Sequence, residues 1–213
     1  MTITRFVIIA VCAYLLGSLS FAIIVSKVTL GKDIRNYGSG NAGLTNAYRT
    51  MGAGKTLFVL LGDIAKGAAA ITIGAVLAGP VGKLVAGIFV ILGHMFPVYF
   101  GFRGGKGVVT AAAMMLMLDW RVFLICFALF AIVFAWKKTV SLSSICGCLL
   151  YPFATFFITY FVDYRQDGLP LFYVVTATVV AALIGATVII KHRANIKRIL
   201  AGEEPPISFK KKS

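Results

Sequence analysis

The chain has 213 residues, 60% of them hydrophobic and 13% charged, and a mean hydropathy of +0.94. Such a composition excludes a water-soluble globular domain and a disordered chain, and leaves a polytopic membrane protein. The formal net charge of +14 calls for anionic partners. For a membrane protein these are first of all lipid headgroups, with phosphorylated small molecules next and nucleic acid not expected.

Seven apolar stretches are read as helices, at 4–26, 56–77, 81–100, 108–118, 122–136, 142–162 and 169–190. They predict an all-α bundle of seven transmembrane helices forming one domain over 1–213. The fourth and fifth are short for a hydrocarbon core of roughly 30 Å, and the chain turns between them at Asp119, Trp120 and Arg121. Lysine and arginine divide 16 to 4 between alternate loops, with Lys66 inside a span. The positive-inside rule then places the N-terminus outside and the C-terminus in the cytoplasm. No cleavable signal peptide is expected, because no basic cluster precedes the first apolar run, which is long enough to span. Cys12, Cys126, Cys146 and Cys148 fall in the apolar stretches, where cysteine is a small apolar filler. The two histidines are far from them, so neither a metal site nor a cofactor is expected.

The longest cytoplasmic segment, 27–55, contains G-S-G-N-A-G-L-T-N-A-Y-R from Gly38 to Arg49. Gly38, Gly40 and Gly43 imitate a dinucleotide-binding fingerprint, but a membrane span precedes them where that motif needs a strand. What remains is a dense polar set: Ser39, Asn41, Thr45, Asn46 and Arg49. With a helix starting near Ala42, Thr45 and Asn46 stand four and three residues before Arg49 and can face one ligand with it. Amides and hydroxyls beside an arginine suit a phosphate and hydroxyl groups. A glycine-rich capped turn explains the Gly, Ser and Asn but not the concentration of polarity. Asp63 and Lys66, one turn apart inside the second apolar stretch, are most simply a mutual ion pair.

The next loop, G-H-M-F-P-V-Y-F-G-F-R-G-G-K-G-V-V-T from Gly93 to Thr110, sets Arg103 and Lys106 among glycines. Gly104, Gly105 and Gly107 are expected to leave backbone N–H groups uncovered, just where the chain enters an apolar helix whose positive end points the same way. That is an anion site; the plain alternative is a basic cytoplasmic turn. After Lys137, Lys138 and Thr139, the hydroxyls of Ser141, Ser143 and Ser144 are expected to cap the sixth helix. The last span continues into H-R-A-N-I-K-R-I-L-A-G-E-E-P-P. At 100° per residue His192 and Asn195 lie with Ile196 and Ile199 toward the protein interior, and Arg193 and Lys197 lie outside. Gly202 and Pro205 end that helix, and Lys210–Lys212 reads as a headgroup anchor.

These three polar segments, in order and spacing, resemble the three cytoplasmic motifs of bacterial acyl-phosphate:glycerol-3-phosphate acyltransferases, the PlsY family. The resemblance covers nearly the whole chain. It implies a seven-helix enzyme of the bacterial cytoplasmic membrane that moves a fatty acyl group from acyl phosphate to the 1-hydroxyl of glycerol 3-phosphate, giving lysophosphatidic acid and phosphate. It implies no cofactor, a membrane-lipid setting and a functional link to an enzyme that supplies acyl phosphate. By the same resemblance Ser39, Arg49, Lys106, His192, Asn195 and Glu204 are catalytic. Asn41, Thr45, Asn46, His94, Gly104, Gly105 and Gly107 are substrate-binding. Leu44 and Val109 stand where alanine is expected and Arg103 where lysine is usual, so Leu44 adds bulk beside the acceptor site. The competing reading, a transporter or channel for a small anionic phosphorylated metabolite, wants a polar path to the far side. The outer half of the bundle supplies almost no polar residue for one, and no internal repeat is evident.

Overall fold

The structure, a computed structural model, describes residues 2–207. The Lys210–Lys212 anchor lies outside the described residues. The first apolar run is two helices, α1 (Ile3–Gly17) and α2 (Phe21–Leu30), parted by a break in which Ser18 Oγ donates to Tyr14 O at 2.8 Å. Next comes α3 (Leu44–Met95), 52 residues long but leaving helical angles at Gly52 and again at Ala78 and Gly79. At 78–79 it doubles back: a Cβ on Gly74 would overlap the carbonyl of Gly82, which a straight helix would place about 12 Å away. The second and third apolar stretches are thus the two arms of one helical hairpin. Pro80 opens the second arm, where its missing N–H needs no partner.

There follow α4 (Val108–Leu118), α5 (Trp120–Lys137), α6 (Val140–Phe157) with a π-helical extension (Ile158–Tyr164), α7 (Leu171–Lys191) and α8 (Arg193–Leu200). All seven apolar stretches are helical, and no strand occurs among the described residues. Five segments are long and apolar enough to cross a membrane: Ile3–Leu30, Leu44–Phe100, Trp120–Lys137, Val140–Tyr164 and Leu171–Lys191. Val108–Leu118 is apolar but shorter.

The chain forms two compact units, one ending at Trp120 and the other beginning at Arg121. In the first, α1 meets the second arm of α3 backbone to backbone, since a Cβ on Gly17 would overlap the Val90 carbonyl and one on Gly93 that of Tyr14. Small residues permit this approach where lipid supplies no hydrophobic drive. Tyr14 Oη then donates to Phe96 O at 2.8 Å and Val98 N to Ser18 Oγ at 3.3 Å, fastening the end of α3. Ala22, Ile23, Ile34, Ala42, Ala47 and Val59 form a buried cluster, with Phe21, Leu44 and Phe100 packed on it. In the second unit the bare Gly185 meets the Cys148 carbonyl, which brings α7 onto α6. Arg121 Nη2 donates to both oxygens of Asp163 at 2.8 and 3.0 Å, tying the start of α5 to the π-helical stretch.

Candidate active site

In the loop after α2, Asp33 caps a 3-10 turn (Ile34–Asn36) by accepting from Arg35 N at 3.0 Å. The same carboxylate takes the guanidinium on two prongs, Nε to Oδ1 at 3.0 Å and Nη2 to Oδ2 at 2.8 Å. The Arg35 hydrogen bond outweighs burial and holds the Asp33 carboxyl below its usual range. Arg35 Nη1 reaches onward to Phe100 O at 2.6 Å and Arg103 O at 3.2 Å. By sequence Arg35 is merely one loop cation among several; its only mark is the acid two residues before it.

Gly38 has φ 58°, and Asn46 Oδ1 occupies the place a Cβ would need, so a side chain is excluded there twice. Asn46 is 1% exposed; it accepts from Ser39 N at 2.9 Å and donates to Tyr37 O at 3.0 Å and Ile34 O at 3.3 Å. The expected face shared by Asn46 and Arg49 is therefore corrected. A turn this tight buries backbone groups that need partners, and the Asn46 amide supplies them from beneath. Ser39 and Arg49 stay exposed, Asn41 and Thr45 half-buried. Leu44 packs on the apolar cluster under the loop, so its bulk is directed away from the exposed residues.

The glycine loop also departs from expectation. Gly104 N donates to Met95 O at 3.3 Å and Gly105 N to His94 O at 3.2 Å, so these two N–H groups satisfy the last carbonyls of α3. The two glycines are required by close approach: a Cβ on Gly104 would overlap the His94 carbonyl. One on Gly105 would overlap His94 Nε2 and lie 2.7 Å from Ala42 O. Gly107, at φ 83°, is the N-cap of α4, whose first N–H groups have no acceptor within the helix. Lys106 is half-buried between the two.

Beneath this loop Lys66 Nζ lies 2.8 Å from Asp63 Oδ1, an ion-pair contact without hydrogen-bond alignment, and donates to Leu19 O at 2.8 Å. It also lies 2.9 Å from His94 Nδ1, and Asp63 Oδ1 is 3.7 Å from the same nitrogen. The expected Asp63–Lys66 pair is present and extends to a third member. His94, placed by the resemblance among substrate-binding residues, is 3% exposed and braces this cluster.

In the second unit His192 and Asn195 are buried and Arg193 and Lys197 exposed, as the helical spacing predicts. His192 sits at the joint of α7 and α8, and its Nδ1 is 2.8 Å from Val188 O. A carbonyl only accepts, so Nδ1 carries a proton at this contact. Glu204, placed by the resemblance among catalytic residues, is saturated. Its Oε1 accepts from Ser141 Oγ at 2.7 Å and Asn195 Nδ2 at 2.6 Å, and its Oε2 from Arg198 Nε at 2.6 Å. Burial pushes its carboxyl up, but these three donors outweigh it and hold the carboxyl below the ordinary range. Ser141 therefore does not cap α6, and Ser143 and Ser144 bond back to Thr139 O and Val140 O at 2.9 and 2.8 Å. Glu203 N donates to Arg198 O at 2.8 Å across Gly202, whose φ is 72°, so α8 ends as expected.

Against known proteins, residues 7–202 match the family profile described as glycerol-3-phosphate acyltransferase. This chain belongs to that family. The family member from Clostridioides difficile is 42% identical over 217 residues, covering 99% of this chain and 100% of its own. That of Geobacillus kaustophilus is 40% identical over 202 residues, covering 95% and 96%. The crystal structure of PlsY, an integral membrane glycerol 3-phosphate acyltransferase, in its glycerol 3-phosphate form superposes with a TM-score of 0.82. It is 35% identical and covers 95% of this chain and 96% of its own. The lysophosphatidic acid form gives 0.79 at 34% identity, covering 95% of each chain. Within the acyltransferase family, the three polar segments of this chain are thus placed on a common fold.

Proposed function

We propose that this protein transfers a fatty acyl group from acyl phosphate to the 1-hydroxyl of glycerol 3-phosphate at the cytoplasmic face of a bacterial cytoplasmic membrane. The observation that carries this reading is the full-length likeness to a structure in its glycerol 3-phosphate form, with Ser39 in the loop before α3 and Arg49 near the start of that helix both exposed. The 16 to 4 division of basic residues supports a cytoplasmic C-terminus, and the hairpin in α3 makes two passes of one of the five spanning segments. A donor with a greasy tail and an anionic head suits a loop cluster at the membrane surface.

In this mechanism Arg49, with Ser39 and Thr45, holds the acceptor phosphate, and Lys106 with the first N–H groups of α4 receives the donor phosphate. The acceptor hydroxyl oxygen attacks the acyl carbon, and the carbon–oxygen bond to phosphate breaks. Phosphate leaves with the bonding pair, and the hydroxyl proton passes to a phosphate oxygen. Asn46, Glu204 and His94 act by holding others in place. The donor is already an activated anhydride, so an acyl-enzyme gains little and Ser39 binds without attacking.

The test supplies purified protein in detergent with labelled acyl phosphate and glycerol 3-phosphate. Lysophosphatidic acid is expected, with no label on the denatured protein when the acceptor is omitted. Absence of product overturns the reaction, and an acyl adduct discharged at the turnover rate overturns the direct mechanism.

A further inference from the structure

Asp33 and Arg35 precede the first polar segment, and nothing in the proposed chemistry uses them. Yet Arg35 joins the two loops: its guanidinium is held on two prongs by Asp33 in the first and donates to two carbonyls, Phe100 O and Arg103 O, of the second. Its seat is rigid, because Asp33 is itself pinned as the cap of the turn and lies 3.9 Å from Lys27 Nζ. The far end is anchored as well: Phe100 packs on the apolar cluster formed partly by Ile34 and Ala42, with Lys27 Nζ 5.9 Å from the centre of its ring. The bare Gly105 against the Ala42 carbonyl makes a second junction between the same loops. Arg103 and Lys106 are three residues apart, as nearly are Arg35 and Ser39, so a shift at the clasp has little chain in which to dissipate.

We infer that Arg35, seated on Asp33, is a positioning residue for acyl transfer: it sets the spacing between the loop that presents Ser39 and the loop that presents Lys106. The inference rests on the acyltransferase reading. It requires a guanidinium, since only a planar fork holds two carboxylate oxygens and two carbonyls together; an ammonium is a point charge.

The test has two arms. In the kinetic arm, Arg35→Lys and Asp33→Asn should raise KM for both glycerol 3-phosphate and acyl phosphate about tenfold while kcat stays within about threefold and the melting curve near wild type. Arg35→Ala should lose more, and added guanidinium should restore part of it. In the second arm, independent of activity, the four native cysteines are replaced and spin labels are placed at the exposed positions Tyr37 and Phe102. The label distance should be narrow with Arg35 and broad with Arg35→Ala. Unchanged KM values in Arg35→Lys and Asp33→Asn overturn the proposal, as does an activity loss that only follows the folded fraction. An unchanged distance distribution also overturns it. A wild-type protein that yields no lysophosphatidic acid, while Arg35→Ala still broadens the distance, counts instead against the acyltransferase reading.

Discussion

His94 Nδ1 lies 2.9 Å from Lys66 Nζ and 3.7 Å from Asp63 Oδ1, and the Nε2 edge of its ring meets Gly105. Lys66 is thus shared by Asp63, Leu19 O and His94, all at the foot of the glycine loop. Removing one member of a buried ionic cluster strands the others. Lys66→Met is expected to destabilise the protein by about 3–5 kcal/mol, and adding Asp63→Asn to recover much of that. Thermal unfolding in detergent reads both; a single variant as stable as wild type would contradict the arrangement.

Gly105→Ala puts a methyl into the His94 ring and the Ala42 carbonyl, one held by Lys66 and the other backbone, so neither yields cheaply. A loss of about 1–3 kcal/mol is expected, together with reduced activity. Gly54→Ala, where a Cβ meets open space on helix α3, is the control and should leave activity unchanged and the protein at least as stable. Equal behaviour of the two variants would mean that the loop does not pack as described.

Arg49→Ala and Lys106→Ala should each lower kcat/KM about ten- to a hundredfold, the worth of a charge-assisted hydrogen bond of about 1.5–3 kcal/mol, while the protein stays folded. Steady-state assays with each substrate varied in turn measure this. Near-normal kinetics in either variant would remove that residue from the site.

Glu204 has a folded-state carboxyl lowered from its ordinary value of 4.5. Its contribution is therefore complete above that ordinary value and disappears as pH falls through the lowered one. Glu204→Gln loses the Arg198 pair, so wild type should be the more stable at neutral pH and the gap should close in acid. Melting temperatures of both proteins between about pH 3 and 7 supply the check. Parallel curves down to the lowest pH would show that the carboxylate is not a stabilising brace.

A tag placed after Ser213 should be shielded from an impermeant reagent in intact cells and labelled once they are opened, because basic residues collect on the side of the C-terminus. Labelling in intact cells would reverse the orientation and with it the cytoplasmic placement of the site.

The class of structure was legible in the chain because membrane helices are specified locally. Runs of apolar residues long enough to satisfy their own backbone in lipid can be little else, and all seven proved helical. Helical spacing likewise determined that His192 and Asn195 are buried and Arg193 and Lys197 exposed, since all four lie on α8 or at its N-cap. The same rule failed for Asn46 and Arg49, where spacing permits a common face but a loop folded over the helix takes the amide for itself. Only the tertiary structure decided that Gly104 and Gly105 satisfy the end of α3, that Glu204 is consumed by Ser141, Asn195 and Arg198, and that Arg35 clasps Phe100 and Arg103. Each depends on groups that the folded chain brings together from beyond one helical turn. A hydrogen-bonding residue carries in its sequence neighbourhood no record of which partner will arrive.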